Sequence, residues 1–275
     1  MLLGAFAALS VIVGISVCVS AGAFLDLTWL WLLPVTAIGC LLVLVLLAFG
    51  FLMILCKRVD QDVPQEDDDP LYRKVTDLYI QSALPMLKIR VQKNGLEKMP
   101  KDGRFLLVCN HCNNSDPIIL LNVLRKFQLA FISKRENDKL FVLGPFLRRM
   151  GCQPINREND REALKTILTC INIIQDDRMS VGVFPEGYIH GDNLLHPFRH
   201  GVFKIAQRTG VPIVVCTLRG TQHVLKNAVK GKPSSVQMHL VGVIEDVKGR
   251  NTVELGEQAY EMMARDLGEE LVLPR

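Results

Sequence analysis

Two long apolar runs open the chain. Leu2–Ala23 and Trp29–Cys56 contain no charged residue, and Asp26 in the short connection is the only charged residue before Lys57. A helix of about 20 residues crosses a bilayer at about 1.5 Å per residue, so each run is long enough. The pattern predicts a transmembrane helical hairpin, and we assign residues 1–58 to this anchor.

The flanks of the second run indicate an orientation. Trp29 and Trp31 fit an interfacial aromatic belt, and Lys57-Arg58 follows the run directly, as cytosolic flanks do. We therefore expect an integral protein of the cytoplasmic membrane whose later domain faces the cytosol. A signal peptide is the alternative for the first run, since Ser20–Ala23 resembles a cleavage site, but the run lacks a basic start and is long.

Residues 59–88 separate the anchor from the rest. Asp60–Asp69 holds six acidic residues and Pro64, which is typical of a solvated linker. Pro70–Leu87 has apolar residues at roughly helical spacing, so a helix there would lie on the membrane or pack on the domain.

From residue 89 to residue 275 short apolar runs alternate with helical patterns. Such alternation predicts an α/β domain with a mostly parallel central sheet flanked by helices. The predicted strands are Ile89–Gln92, Phe105–Cys109, Leu129–Ser133, Gln153–Asn156, Val181–Phe184, Ile213–Leu218 and Val236–Val243. The predicted helices are Pro117–Arg125, Leu140–Met150, Arg161–Asp176, Gly201–Thr209 and Val253–Leu271.

Charge and cysteine content narrow the classes of function. The net charge of +4 suits a membrane surface or an anionic substrate and is too small to indicate nucleic acid. Eight cysteines follow no disulfide framework, which is typical of a reduced, cytosol-facing protein. Cys109 and Cys112 form a C-x-x-C, but no second pair follows at zinc-site spacing.

A histidine follows the second predicted strand. His111 lies where a strand ends and a turn begins, which is where open α/β sheets place their ligands. Asp116 comes five residues later and could orient the imidazole of a general base. Asp116-Pro117 is also an ordinary helix start. We expect one carboxylate oxygen to cap the helix and the other to orient His111.

Two further stretches place polar residues at strand ends. Glu186-Gly187 follows Val181–Phe184, and Arg157 follows Gln153–Asn156. A carboxylate there could orient a substrate hydroxyl, and a guanidinium is well shaped to bind phosphate. A type II turn is the alternative interpretation of Glu186-Gly187, and from spacing alone a surface arginine is the favoured interpretation of Arg157.

Four stretches, taken in order, resemble the motifs of the glycerolipid acyltransferase family, and within it the bacterial 1-acyl-sn-glycerol-3-phosphate acyltransferases. The similarity spans about Ile89 to Leu218, and four ordered motifs are more specific than any one of them. The motif-like stretches are Asn110–Asp116, Gly151–Arg157, Phe184–Gly187 and Val211–Ile213, and Phe131–Arg135 and Pro197–Gly201 also resemble family segments.

The resemblance implies transfer of an acyl group from acyl-CoA or acyl carrier protein to the free hydroxyl of a lysophospholipid in the bilayer. No cofactor and no metal are implied. His111 corresponds to the family's base and Asp116 to its partner. Arg157 corresponds to the arginine that binds the acceptor phosphate, and Glu186 and Gly187 to residues that bind and position the acceptor.

One departure bears on the acceptor. The family's third motif usually continues Gly-Thr-Arg-Ser, whereas this chain reads Gly187-Tyr188-Ile189-His190 and lacks the arginine. Arg199, Lys134 or His190 are candidates to replace it as substrate-binding residues, or the acceptor has a different head group.

Other functions remain open at this point. The same chemistry on another lysolipid acceptor is the nearest alternative, and a non-catalytic membrane-tethered scaffold with this fold is a second. A metal-dependent lipid hydrolase that uses Cys109, His111 and Cys112 is the third.

Overall fold

The computed structural model of this protein describes residues 2–60 and 66–273. The chain divides into two units, Met1–Asp62 and Val63–Arg275. Residues 61–65 of the predicted acidic linker lie outside the described residues. The domain boundaries after residues 58 and 88 stay predictions.

Two apolar helices form the first unit. Helix α1 spans Leu2–Ser20, helix α2 spans Trp29–Lys57, and both are long and apolar enough to cross a membrane. They pack against each other at Gly14, where an added Cβ would lie 2.9 Å from Leu33 Cδ1 and 3.2 Å from the Leu33 carbonyl oxygen. A small residue lets two helices approach closely, so Gly14 permits the hairpin that the apolar runs predict.

Seven strands of the second unit form one sheet, and each lies within two residues of a predicted strand. The strands are β1 Ile89–Asn94, β2 Leu106–Cys109, β3 Leu129–Lys134, β4 Gln153–Ile155, β5 Ser180–Val183, β6 Ile213–Arg219 and β7 Ser234–Ile244. Their order across the sheet is β1-β7-β6-β2-β5-β3-β4. Only the β6–β7 pair is antiparallel, so β1 and β7 run opposite to the other five. The sheet is therefore mostly parallel, as predicted.

Helices cover both faces of this sheet. They are α3 Pro70–Met86, α4 Asp116–Val123, α5 Leu143–Arg149, α6 Asp160–Gln175, α7 Lys204–Thr209, α8 Val224–Val229 and α9 Thr252–Leu267. Side chains alternate along a strand, so Leu106 and Val108 enter one apolar core with α6, α7 and α9. Leu107 and Cys109 enter the other core, with α3 and α4.

Helix α3 packs on the sheet unit. Its N-cap is Asp69, whose carboxylate accepts a hydrogen bond from the Leu71 amide, and Pro70 occupies the first turn, where its missing N–H costs nothing. Tyr72 and Ile80 are buried, and the Tyr72 ring meets Phe146 edge-on at 5.2 Å. One face of the helix therefore packs on the domain, whereas Leu71, Leu78 and Met86 remain exposed.

Three predicted helices were too long, and one helix was missed. The predicted helix Gly201–Thr209 began three residues early, because His200–Phe203 form a 3-10 helix and α7 starts at Lys204. The prediction of a helix over Leu140–Met150 was wrong for its first turn, because α5 begins only at Leu143. There the Gly144 backbone packs tightly on Asp138, with an added Cβ only 2.1 Å from the Asp138 carbonyl oxygen. The terminal helix ends at Leu267 because Gly268 leaves helical geometry at φ 80° and ψ 157°. Helix α8 was not predicted from the sequence.

Gly182 in β5 generates a stability prediction. An alanine Cβ there would lie 2.6 Å from Phe131 Cε1, a distance that forces the phenylalanine ring to move. We expect Gly182→Ala to lower the free energy of unfolding by about 1–3 kcal/mol, the usual cost of overpacking a core. Gly201→Ala is the matched control, because its Cβ would meet only Ile167 Cδ1 at 4.0 Å. Denaturant unfolding of the full chain in detergent tests this, and equal effects of the two changes would contradict it.

Candidate active site

Parallel pairing brings two of the polar stretches to one edge of the sheet. Val108 of β2 pairs with Val183 of β5, so both strands end side by side. His111 and Glu186 follow these two strand ends and enter the same loop layer. On the neighbouring strands, Lys134 of β3 pairs with Ile155 of β4, which places Arg157 at the same edge. The predicted residues therefore gather at the carboxyl ends of the parallel strands.

Asp116 holds the histidine loop through one oxygen. Its Oδ2 lies 2.9 Å from His111 Nδ1 and accepts hydrogen bonds from the backbone amides of Cys112 at 2.7 Å and Asn113 at 2.8 Å. The Asp116 side chain is fully buried. An acceptor at Nδ1 fixes the proton on that nitrogen and leaves the Nε2 lone pair free to take a proton.

The prediction that one Asp116 oxygen caps the helix and the other orients His111 was wrong. All three bonds go to Oδ2, and Oδ1 is buried without a hydrogen-bond partner among the described residues. The helix N-cap is Ser115, which makes no side-chain capping bond. The carboxylate points back into the preceding loop because the amides of Cys112 and Asn113 converge on it there.

Aromatic stacking fixes the plane of the imidazole. The His111 ring stacks on Phe184 with centroids 4.1 Å apart and an interplanar angle of 18°. Phe184 stacks in turn on Phe131 at 5.5 Å. The His111 side chain is only 13% exposed, so its ring has little freedom to move.

Glu186 binds backbone on both sides. Its Oε1 accepts from the His111 amide at 2.7 Å and its Oε2 accepts from the His196 amide at 3.0 Å. Burial raises the pKa of this carboxyl to about 7, although both amides favour the charged form. The residue predicted to bind the acceptor thus ties the histidine loop to the loop that contains His196.

Two arginines lie over one tyrosine ring. The Arg157 Cζ is 4.9 Å from the Tyr188 ring centroid, and the Arg199 Cζ is 5.1 Å from it. Gly187 has φ +83°, and a Cβ there would lie 3.0 Å from Arg199 Cδ and Nε. The Arg199 amide donates to the Pro185 carbonyl at 2.8 Å. Arg199 is therefore held against the third-motif loop by its backbone and by its side chain.

The other candidate cations are less suited to an anion. Lys134 pairs with Glu136 at 3.5 Å in an exposed ion pair. His190 stacks on His196 at 3.6 Å, and burial, followed by the neighbouring His196, lowers its pKa. At pH 7 His190 is accordingly neutral. Arg199 is the candidate that lies beside Arg157.

Cys109 of the C-x-x-C is buried and Cys112 is half-buried. Burial raises the pKa of Cys112 to about 12 and that of Cys109 well above its ordinary value. Within residues 2–60 and 66–273, His, Cys, Asp and Glu form no group of three placed to hold a metal ion.

Asn110 is a residue whose role the sequence reasoning missed. Its Nδ2 donates to the Leu218 carbonyl at 3.0 Å, and its Oδ1 accepts from the Leu218 amide at 2.7 Å. The side-chain amide thus continues the β2–β6 pairing one step beyond Cys109. The available signal was an amide directly after a buried strand, next to the histidine.

A second histidine–aspartate pair lies elsewhere. His239 Nδ1 is 2.5 Å from Asp266 Oδ1, and Thr217 Oγ1 donates to Asp266 Oδ2 at 2.5 Å. Both carboxylate oxygens are therefore occupied, and the network ties α9 to β6 and β7. The pair borders a cavity of about 360 Å³ that no predicted site residue lines; its lining residues are Asn94, Thr217, Arg219, Gln237, His239 and Asp266.

Glu186 gives a pH-dependent prediction. Its folded-state pKa of about 7 exceeds the ordinary 4.5, so between these values the folded chain binds more protons than the unfolded chain. Its contribution to stability therefore falls as pH rises from 4.5 to 7 and is constant outside that window. Against Glu186→Gln, the wild-type advantage should shrink by about 3 kcal/mol across the window.

Denaturant unfolding in detergent at pH 4.5, 6 and 7.5 measures this difference. The exposed change Glu158→Gln is the control and should show no such pH dependence. A wild-type advantage over Glu186→Gln that is the same at all three pH values would contradict the raised pKa.

Residues 90–219 match the family model described as Acyltransferase. The chain is 34% identical over 151 residues to the protein named 1-acyl-sn-glycerol-3-phosphate acyltransferase BAT2, chloroplastic, of Brassica napus, covering 54% of this chain and 42% of that protein. It is 28% identical over 174 residues to the protein named 1-acyl-sn-glycerol-3-phosphate acyltransferase of Borreliella burgdorferi, covering 62% and 67%.

Among solved structures, the chain resembles the 1-acyl-sn-glycerophosphate (LPA) acyltransferase PlsC from Thermotoga maritima. The TM-score is 0.58 at 22% identity, and the match covers 78% of this chain and 87% of that one. This likeness concerns the fold. The matched region spans only about two fifths of the Brassica relative's length, 42%. The family match covers all of the loops that carry His111, Arg157 and Glu186, and over residues 90–219 the chain is similar to the acyltransferase family.

Proposed function

We propose that this protein transfers a fatty acyl group from a thioester donor to the free hydroxyl of 1-acylglycerol-3-phosphate and so makes phosphatidic acid. The observation that carries the proposal is the buried His111–Asp116 pair with Nε2 left free, at the loop edge where Arg157 also lies. Relatives named for this activity, and the family match across the same loops, support it.

His111 acts as the general base. An alcohol becomes a good nucleophile only when its proton is removed as it attacks, a contribution of about 10²–10⁴-fold. Nε2 takes the proton of the acceptor hydroxyl while the hydroxyl oxygen bonds to the thioester carbonyl carbon. Asp116 keeps Nδ1 protonated and stabilises the imidazolium that forms.

Collapse of the tetrahedral intermediate completes the transfer. The carbon–sulfur bond breaks, the carbonyl re-forms as an ester, and the imidazolium returns its proton to the departing sulfur. A thiol has an ordinary pKa of about 8.5, so the thiolate leaves with little acid assistance. These reaction steps need no enzyme-bound acyl group and no cofactor, since acyl-CoA or acyl carrier protein enters as a substrate.

The remaining predicted residues take roles around the acceptor. Arg157 binds the acceptor phosphate with Arg199 beside it. Glu186 and Gly187 shape the loop between His111 and this pair of arginines, the first by its backbone hydrogen bonds and the second by leaving room for Arg199. Lys134, paired with Glu136 at the rim, contributes only long-range attraction to an anion.

A membrane location suits these substrates. The lysolipid and the diacyl product both reside in a bilayer, and two helices of the chain have the length and composition to enter one. Lys57 and Arg58 lie at the end of the second of them, which favours a cytosolic position for residues 63–275 by the positive-inside rule. The proposed location is the cytoplasmic membrane, with the acyltransferase unit in the cytosol, where the thioester donors are.

A different lysolipid acceptor is the second candidate. The observation in its favour is Ile189 at the position where the family pattern has arginine. The chemistry at His111 would be unchanged, and only the head group that meets Arg157 would differ.

The deciding assay uses the full chain in vesicles with labelled acyl-CoA or acyl carrier protein and a panel of lysolipids. We expect acceptor-dependent product, greatest with 1-acylglycerol-3-phosphate, that persists in the presence of a chelator. His111→Ala should lower the rate by at least about 10²–10⁴-fold, the contribution of a general base. The exposed change His223→Ala is the control and should leave the rate unchanged.

Three outcomes would contradict parts of this account. A rate unaffected by His111→Ala would remove the base. Product formed only with another lysolipid would establish the second candidate. No product with any acceptor would point to a tethered scaffold with this fold.

A further inference from the structure

The Arg157 and Arg199 guanidiniums share the ring of Tyr188. Each Cζ lies about 5 Å from the ring centroid, at 4.9 Å and 5.1 Å. Within the described part of the chain, neither side chain forms an ion pair. Glu136 attracts Arg157 only from beyond ion-pair distance, since its carboxylate pairs with Lys134.

We propose that Tyr188 is a positioning residue that holds Arg157 and Arg199 together as one site for the phosphate monoester of the acceptor. Arg199 supplies the cation that the family pattern places at the position of Ile189. This inference rests on the proposed function, because it states that Arg199 binds the phosphate of the proposed acceptor.

The loop is built to bring Arg199 to this place. Its amide is bonded to the Pro185 carbonyl at 2.8 Å, which ties it to the start of the third motif. Gly187 then leaves space for the Arg199 side chain, since any Cβ would press on its Cδ and Nε at 3.0 Å. A glycine at φ +83° therefore serves both the turn and the passage of this arginine.

Tyr188 offsets part of the repulsion between the two cations. The negative face of an aromatic ring attracts a guanidinium by about 0.5–2 kcal/mol, depending on desolvation. Partial burial lowers the pKa of Arg157, and the charge of Arg199 adds to that effect. A bound anion would remove the remaining repulsion, so the two arginines favour negative charge beside them.

Two neighbouring guanidiniums favour an anion with more than one negative charge. A phosphate monoester carries between about −1.5 and −2 at pH 7 and has three terminal oxygens, enough for two forked guanidiniums. A phosphodiester carries a single charge and two free oxygens. The two arginines should therefore favour a lysolipid with a terminal phosphate over one whose phosphate bears a further head group.

Binding separates this inference from turnover. Labelled 1-acylglycerol-3-phosphate and lysophosphatidylglycerol are bound to the full chain in nanodiscs, in a His111→Ala background that does not consume them. We expect Arg199→Met and Tyr188→Leu to weaken binding of the monoester by about 10- to 100-fold, as loss of charge-assisted hydrogen bonds does. Binding of the diester should change less than threefold. Tyr188→Phe keeps the ring and should bind like the parent.

Steady-state kinetics of the protein with His111 intact provide a second test of the role of Tyr188. Tyr188→Leu should raise the KM for the acceptor by a similar factor, with kcat and the donor KM within about threefold of wild type. Arg161→Met, which removes an exposed arginine, controls for net charge and should change neither binding nor KM. A purely structural role for Tyr188 would lower kcat and affect both substrates.

The outcomes are distinguishable. Monoester binding that is unchanged in both Tyr188→Leu and Arg199→Met overturns the inference, whatever the turnover. Equal loss of monoester and diester binding also overturns it. The expected binding pattern without any turnover would leave the two-arginine site standing and remove the proposed function instead.

Discussion

The geometry of the site depends on one buried carboxylate oxygen. Asp116 Oδ2 meets His111 Nδ1 and the amides of Cys112 and Asn113, all within 2.9 Å. A fully buried carboxylate is tolerable only with such donors around it. The same bonds that stabilise the charge therefore fold the loop over Asp116, and the loop cannot open without leaving that charge without donors. The orientation of His111 is a consequence of this constraint.

The other elements of the site complete the same arrangement. Glu186 holds the His111 amide from the neighbouring strand end, and Phe184 lies under the imidazole at 4.1 Å. Both residues belong to the loop after β5, which also begins the turn that leads to Tyr188 and its two arginines. One loop thus connects the proposed base to the proposed phosphate site, and the parallel register of β2 and β5 places it beside His111.

Much of the fold could be predicted because buried strands correspond to short apolar runs between turn residues. The ends of helices were harder to predict from the sequence. The start of α5 depends on Gly144 packing against the Asp138 backbone, and the end of α9 depends on the geometry of Gly268. The spacing of His111 and Asp116 indicated a pair, but both carboxylate oxygens fitted that spacing equally well. The role of Tyr188 was not predictable, because it requires Arg199, a residue brought back to the loop by a backbone bond to Pro185.

The most direct test of the central claim is the kcat of Asp116→Asn in the full chain, measured in nanodiscs at pH 7 with saturating donor. An asparagine oxygen can still accept from the loop amides, but it carries no charge to stabilise the imidazolium. We predict that kcat falls by about 10³–10⁴-fold, as for the equivalent change in a histidine–aspartate pair of known role, with the acceptor KM nearly unchanged. A kcat within about threefold of wild type would contradict the account.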